Sequence, residues 1–564
     1  MSRSTARDSA AQEPRSGWSD LLARSWVTPL LAGAVVVLTV ILMVVSFPPF
    51  DTPEAAYLWA APFLVWVLLR RPSWRLTWVV AGSSQAVGWI LILRWLRHFP
   101  EHAGVAFPTI IGWSAMILLG IIVGLFGTAW LVAARSVLPR CRGSSLAFRL
   151  VVMLGLAAFW VVLEWIRATV FTGFPWLILA ASQWQRPLVL QVAAVTGSWG
   201  ISFMLILFNL GLVFYLRTFL ETRGAAWWKR ICPEFYLALV CLLGVIGSGL
   251  LDKRIGAPQP AFSAGFVQPG VLPRARWDLE QMESVLADYR MVAQFAAYDG
   301  ADAILWPEAS TPLPAPGNEY AVQWLESLAA ELGLPILMGN LVSVPDVEGV
   351  LRYYNGVIIV DPEDGIQEAF YGKRHLVPFG EYVPAWIPFV DMVVPLDGQF
   401  TRGDAPNVLD FKVGDRVWRV GALVCYEDLF PELARSQLHE GVHFFFVATN
   451  NIWYGREGAA AQHAAHSVLR AVELRRPVLR AGNEGWSGWI DERGNIRHVL
   501  RGSDGSIYFQ GADAETFYLD PRYQGTLSAY ARYGDWFVWL SMLVTAIAGA
   551  SIRFWRPERA VPDV

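Results

Sequence analysis

Trp418-Arg419-Val420-Gly421-Ala422-Leu423-Val424-Cys425-Tyr426-Glu427-Asp428 reads as an apolar β-strand that runs directly into a cysteine and then an acidic pair. A thiol at a strand-to-helix turn is well placed for nucleophilic work, because backbone N–H groups of the turn are at hand for an oxyanion. Six further runs of strand character surround it: Phe262–Gln268, Ala303–Trp306, Pro335–Gly339, Gly356–Val360, His443–Ala448 and Pro477–Ala481. Helical patterns fall between them, over Leu279–Ala297, Ala321–Leu332, Glu432–His439 and Ala460–Leu474. Strands alternating with helices predict an α/β domain whose helices cover a buried sheet.

Outside this region the composition changes. The chain has 564 residues, too many for one ordinary domain. Apolar residues make up 54% and charged residues 16%, against roughly 25% charged in soluble domains. Its 28 tryptophans suit a protein held at lipid interfaces. The net charge of −3 and the lack of a basic block exclude nucleic acid as a partner. A bilayer crossing needs about 20 mostly apolar residues. Segments 26–46, 55–70, 76–95, 108–133, 148–170, 195–216 and 234–251 meet or approach that, and 535–552 follows the α/β region. Eight spans are therefore expected. The domain plan is a disordered tail over 1–25, a seven-helix membrane domain over 26–251, the α/β domain over 252–534, a last span over 535–552 and a tail over 553–564. The first apolar run exceeds a signal-peptide core and lacks a small-residue cleavage site, so it reads as a retained anchor.

Loop charges orient these spans. Arg3, Arg7, Arg15 and Arg24 precede the first; Arg70, Arg71 and Arg75 follow the second; Arg135, Arg140 and Arg142 follow the fourth. Arg217, Arg223, Lys229 and Arg230 follow the sixth, and Arg553, Arg556 and Arg559 the last. All fall on one side if both termini are cytoplasmic. An odd number of spans then places 252–534 outside the cytoplasm, where Cys425 is the single cysteine. With no partner for a disulfide there, it is a candidate reactive thiol.

Two more motifs lie near strand ends, where α/β proteins place chemistry. In Leu305-Trp306-Pro307-Glu308-Ala309-Ser310 the proline stops a strand and presents Glu308 from a loop. Tyr371-Gly372-Lys373-Arg374-His375-Leu376-Val377-Pro378-Phe379-Gly380-Glu381-Tyr382-Val383-Pro384 sets Lys373 and Glu381 in an aromatic, Pro- and Gly-rich loop suited to holding charges rigidly. A thiol needs a base, and a carboxylate can serve; a nearby lysine stabilises an oxyanion and is expected to lower the Cys425 pKa. The domain has too few Cys and His for a zinc cluster, so neither metal nor cofactor is expected. His463 and His466 are expected to cap or solvate a helix.

The order Glu308, Lys373, Cys425 with these surroundings resembles the nitrilase, or carbon-nitrogen hydrolase, superfamily. Leu376-Val377-Pro378-Phe379-Gly380-Glu381-Tyr382-Val383-Pro384, Phe171-Thr172-Gly173-Phe174-Pro175-Trp176-Leu177 and the flanking spans resemble its membrane-embedded members, the bacterial apolipoprotein N-acyltransferases. The resemblance implies an αββα sandwich outside the inner membrane, on the periplasmic side. It also implies ping-pong transfer of an acyl chain from a phospholipid, usually phosphatidylethanolamine, to the α-amine of an S-diacylglyceryl-cysteine on an apolipoprotein. By motif, Cys425 is the nucleophile, Glu308 the general base, Lys373 the oxyanion partner and Glu381 a second carboxylate. Tyr426 and Glu427 match essential positions after the cysteine, and Trp277 a tryptophan on a substrate-facing arm. Asn450-Asn451-Ile452-Trp453-Tyr454-Gly455 stands where the family shows Asn-Asp-Ala-Trp-Phe-Gly, and Gly482-Asn483-Glu484-Gly485 replaces Thr-Asn-Asn-Gly. These departures bear on lipid or acceptor preference, not on the catalytic trio.

Three readings stay open at this level. Pro384–Val390, containing Trp386, is either a lipid-contacting arm or packing on its own domain. Trp453 is either a gate beside the thiol or a core residue. A membrane-tethered amidase would share the trio but hand the acyl group to water, while a non-catalytic lipid-binding scaffold would need none of it.

Overall fold

The computed structural model describes residues 27–102, 107–222, 224, 226–252, 257–272, 280–383 and 400–554. The terminal tails, Trp277 and the Pro384–Val390 stretch with Trp386 lie outside the described residues.

The amino-terminal half is a helical bundle: α1 (Val27–Val45), α2 (Ala61–Arg70), α3 (Trp74–Ile92), α4 (Pro108–Val137), α5 (Leu146–Thr169), α6 (Ser198–Glu221) and α7 (Pro233–Asp252). Their starts are chemically marked. The Ser73 and Ser145 hydroxyls accept from the N–H groups of Leu76 (3.4 Å) and Phe148 (3.3 Å), satisfying donors at the first turns of α3 and α5. Each of the eight expected apolar segments contains one helix, but the eight are not equivalent in length. Among the described residues six helices are long and apolar enough to cross a bilayer. A seventh crossing is reached only if α3 is joined across a 54° bend to the segment Arg94–Glu101.

The second expected span is the 3-10 turn Pro53–Tyr57 followed by α2. The ten residues of α2 rise only about 15 Å, half of a ~30 Å hydrocarbon core. Pro62 explains the break, because proline has no N–H to give and fits only the first turn of a helix. Phe63, Leu64 and Val67 of α2 are wholly buried in the bundle, where a short element is shielded from lipid.

The α/β domain holds two sheets. The first runs in the order β13 (Gly511–Leu519), β1 (Gln259–Gln268), β2 (Ala303–Trp306), β3 (Ile336–Pro345), β4 (Leu351–Asp361) and β5 (Gly365–Ile366), with β6 (Tyr371–Gly372) also beside β4. The second runs β12 (Ile496–Val499), β11 (Gly488–Ile490), β10 (Val478–Gly482), β9 (Phe444–Thr449), β8 (Arg416–Val424), β7 (Val408–Val413). Parallel pairs at the centre (β1–β2–β3 and β8–β9–β10) are flanked by antiparallel ones. Strand alternation sorts side chains between layers. Phe262, Leu305, Val420, Phe444 and Phe446 meet between the sheets. Ile304, Trp306 and Ile336 face outward onto helices α8 (Met282–Tyr298) and α9 (Glu319–Leu332). Leu423, Phe445 and Val447 face helix α10 (Ala459–Leu474). The result is the expected αββα sandwich.

Helix α10 departs from a free-standing sandwich. Nearly all of its residues are buried, and its cluster of packed side chains continues into the membrane helices without a gap. The final helix α11 (Trp536–Phe554) then returns to the bundle, where Ala548 approaches Gly155 of α5 so closely that a Cβ on the glycine would lie inside it.

Candidate active site

Glu308, Lys373 and Cys425 stand at one end of the sandwich, beyond the carboxyl ends of β2, β6 and β8. The Glu308 N–H reaches the Thr449 carbonyl at the end of β9 (3.4 Å), tying the two sheets together there. Gly339 lies beneath: a Cβ would stand 2.7 Å from the Pro307 carbonyl and 2.8 Å from the Glu308 Cα. No side chain fits at that crossing. Lys373 is held through its backbone, its N–H donating to the Asn355 carbonyl and its carbonyl accepting from Gly403, both at 2.8 Å.

The side chains then converge. Lys373 Nζ lies 2.8 Å from Glu381 Oε1 and 3.6 Å from Glu308 Oε1, and its side chain is 1% exposed. Asn355 Nδ2 donates to both carboxylates at 2.8 Å. Nothing in the sequence singled out Asn355; its signal is only that an amide opens the wholly buried run of β4, just before Gly356. Glu381 uses its second oxygen to accept from the Val377 N–H at 2.8 Å, closing the loop around Lys373. Burial works against the Lys373 ammonium, but Glu381 and Glu308 outweigh it and hold the pKa above its ordinary value.

Cys425 has a φ of 52°, the left-handed region that costs a non-glycine residue about 1–2 kcal/mol. The expected lowering of its pKa is not what the structure has. Burial and the Glu308 carboxylate push the thiol up to about 12, with Lys373 opposing them. Burial is the larger cause, and the charges do not reverse it, because the Lys373 ammonium that favours a thiolate also faces the Glu308 and Glu381 carboxylates that oppose one.

Glu427 is wholly buried and accepts from the N–H groups of Val424 (2.8 Å), Arg374 (2.6 Å) and His375 (3.0 Å) and from the Tyr371 hydroxyl (3.0 Å). It thus pins the Cys425 turn to the Lys373 loop, while burial raises its pKa to about 7. The Tyr426 hydroxyl donates to the Gly173 carbonyl at 3.3 Å, so the Phe171–Leu177 motif is the seam between bundle and sandwich. Gln462 joins the same seam, accepting from Trp95 (3.0 Å) and Trp176 (2.9 Å) and donating to the carbonyls of Pro48 (3.0 Å) and Ile92 (3.3 Å).

A carbon-nitrogen hydrolase model matches residues 264–506, and a model of the apolipoprotein N-acyltransferase N-terminal domain matches residues 39–211. An apolipoprotein N-acyltransferase of Geobacter metallireducens is 31% identical over 522 residues, covering 91% of this chain and 94% of the relative. The chain belongs to the apolipoprotein N-acyltransferase family. The member from Azotobacter vinelandii is 30% identical, with 97% of this chain and 98% of the relative covered. A solved CN-hydrolase superfamily protein from Xanthomonas campestris is 19% identical, with 46% of this chain and 91% of that chain covered at a TM-score of 0.33.

Trp453 is half-buried, its ring 5.6 Å from that of Phe99 in the bent segment after α3. It belongs to the domain seam rather than to the sandwich core. Asn451 lies beside the His463 ring at 3.1 Å, and Glu484 pairs with Arg456 at 2.5 Å. His463 and His466 do not cap or solvate a helix: both are buried on α10. His466 Nε2 accepts from the Leu177 N–H at 3.1 Å, and His463 sits beneath Cys425. Helical spacing revealed their common face, but not which side of α10 is covered by the bundle.

Proposed function

We propose that this chain carries an acyl group from a membrane phospholipid, phosphatidylethanolamine in the first instance, through a thioester on Cys425 to the α-amine of the S-diacylglyceryl-cysteine that begins an apolipoprotein. The observation that carries this reading is the Lys373 ammonium, held between Glu381 and Glu308 at the site of Cys425.

In the first half, Glu308 takes the Sγ proton as Sγ attacks the ester carbonyl carbon of the phospholipid, and the oxyanion forms against Lys373. Collapse breaks the ester C–O bond; Glu308 returns the proton to the departing alkoxide, and lysophospholipid leaves. In the second half the amine attacks the thioester, Glu308 accepts its proton, the C–S bond breaks, and the proton passes to Cys425. No charge accumulates over the cycle, as expected of a buried site with a fixed ammonium. Glu381 fixes Lys373, Glu427 and Tyr426 fix the nucleophile turn, and Trp277, Trp386 and Trp453 belong to the route by which lipid reaches the thiol.

The domain plan 1–25, 26–251, 252–534, 535–552 and 553–564 and the topology follow the same reading: bacterial inner membrane, both termini cytoplasmic, sandwich periplasmic. With the short α2 and the bent α3 segment each counted as a crossing, seven precede the sandwich, and the arginine clusters Arg70-Arg71-Arg75 and Arg135-Arg140-Arg142 then fall together on the cytoplasmic side. The amidase alternative is disfavoured by α10, since a domain merely tethered to the membrane has no reason to lose an entire helix face into the bundle.

Intact mass after incubation with phosphatidylethanolamine tests the proposal. A gain of one acyl chain, absent in Cys425→Ala and discharged by a diacylglyceryl lipopeptide, is the expected result. Discharge by water at the same rate points to the amidase, and no adduct from any phospholipid overturns the reading.

A further inference from the structure

Beneath the nucleophile lies a polar group that the mechanism above does not use. His463 and Asp428 are both buried. His463 Nε2 stands 2.8 Å from Asp428 Oδ1 and 3.1 Å from the carbonyl oxygen of Cys425 itself. Asp428 is in turn fixed by the Ser467 hydroxyl at 2.5 Å and by Arg480 at 2.7 Å, both on its other oxygen. His463 Nδ1 faces Asn451 at 3.1 Å.

This arrangement settles the tautomer. Both neighbours of Nε2 are acceptors only, a carboxylate and a carbonyl, so Nε2 must carry the proton. Nδ1 of a neutral ring is then an acceptor and needs a donor. Asn451 Oδ1 is the atom placed against Nδ1; turning the amide over brings its nitrogen there as the donor and gives a partner to an amide nitrogen that otherwise has none. Burial and Arg480 favour the neutral ring.

We propose that His463, oriented by Asp428 and Asn451, is a positioning residue for the nucleophile: its Nε2–H grips the Cys425 carbonyl and holds the left-handed backbone that keeps the thiol beside Glu308 and Lys373. The inference rests on Cys425 being the acyl carrier. A strained φ at a nucleophile persists only where the surroundings over-determine it, and the Cys425 carbonyl is one of the few handles for doing so. The grip has a second consequence. Gln462, the next residue on α10, is bonded to Trp95, Trp176 and two carbonyls of the bundle. The carbonyl of the nucleophile is thereby fixed, through two adjacent residues of one helix, to the membrane domain rather than to the sandwich alone.

The test compares His463→Gln, His463→Asn and His463→Ala in the full-length protein. A glutamine amide nitrogen reaches the place of Nε2 and offers two hydrogens to its two acceptors, whereas an asparagine amide stops at the place of Nδ1. Two rates are read: alkylation of Cys425 by iodoacetamide at about pH 9.5, where a thiol held up to about 12 still yields a reactive thiolate fraction, followed on its peptide by mass, and thioester formation from phosphatidylethanolamine vesicles. Expected are losses of tenfold or more in both rates for Asn and Ala, at an unchanged half-saturating lipid concentration, with Gln within threefold of wild type. A packing role alone would lower melting temperature without separating Gln from Asn. If all three variants alkylate like wild type, or if Gln is as slow as Asn while equally well folded, the proposal is overturned. If Ala does not fold, the Gln and Asn comparison decides. Should the alkylation pattern hold while wild type itself forms no thioester, the positioning role stands and the phospholipid donor is what fails.

Discussion

Replacing Lys373 by methionine separates the two things the ammonium does. It keeps the volume of the stem but removes the positive charge 2.8 Å from Glu381 and 3.6 Å from Glu308. At an effective dielectric of about 20, those contacts are worth about 6 and about 5 kcal/mol of Coulomb attraction. Most of that offsets the cost of taking three charges out of water, and the net loss on truncating one partner of a buried ion pair is about 3–5 kcal/mol. Spread over a domain of this size, that lowers the melting temperature by on the order of 10 °C. Adding Glu381→Gln removes one of the two stranded anions and should restore at least half of the lost melting temperature. It cannot restore the oxyanion partner that Lys373 is proposed to be, and loss of such a partner costs roughly 10²–10³ in rate. The assay is therefore paired: intrinsic tryptophan fluorescence for melting and intact mass for thioester formation, on wild type, Lys373→Met and the double variant. If Lys373→Met melts with wild type, or if the double variant regains thioester formation along with stability, the ammonium is not the electrostatic keystone described here.

Three further outcomes are expected. The difference in thiolate ultraviolet absorbance between wild type and Cys425→Ala should stay flat to pH 9 and rise only towards the value of about 12; since the unfolded thiol ionises near its ordinary 9.0, folding stability falls with pH across that window, and a thiolate signal at neutral pH would refute the raised pKa. Asn355→Ala should slow thioester formation by about 10–100-fold and cost about 1–3 kcal/mol, because the two carboxylates lose a shared donor; acylation at the wild-type rate would show that Lys373 alone orders them. Gln462→Leu leaves two indoles and two carbonyls without partners, so melting should drop by several degrees while Cys425 still alkylates in the folded protein; an unchanged melting curve would mean that the seam is held by apolar contact only.

The central strands were legible because buried parallel strands read as short apolar runs: Ala303–Trp306 has the boundaries expected of it, and β8 ends on Val424 as the sequence indicates. Edge strands such as β7 and β12 were missed, since their alternation is short and broken by charge. The spans were counted from apolarity, which does not register that Pro62 starts a new helix or that α2 is sheltered by its neighbours. The thiol pKa was misjudged for a similar reason. A lysine near a cysteine favours thiolate only if nothing else claims its charge, and the sequence does not say that Glu381 is nearer to it.

What the sequence by itself determined is the local chemistry: which segments are strands or membrane helices, that Cys425 ends a strand, and that Glu308, Lys373 and Glu381 occupy loops able to hold charges. Periodicity and residue type settle such matters because they act over a few residues. Only the tertiary structure decided the charge balance around the thiol, the bridging amide of Asn355 and the burial of α10 against the bundle. It alone brought His463 under the Cys425 carbonyl. Those depend on groups tens to hundreds of residues apart, such as Asn355 with Glu308 or Gln462 with Trp95. Electrostatic and hydrogen-bond energies are set by separations of a few ångströms that only the packed chain defines.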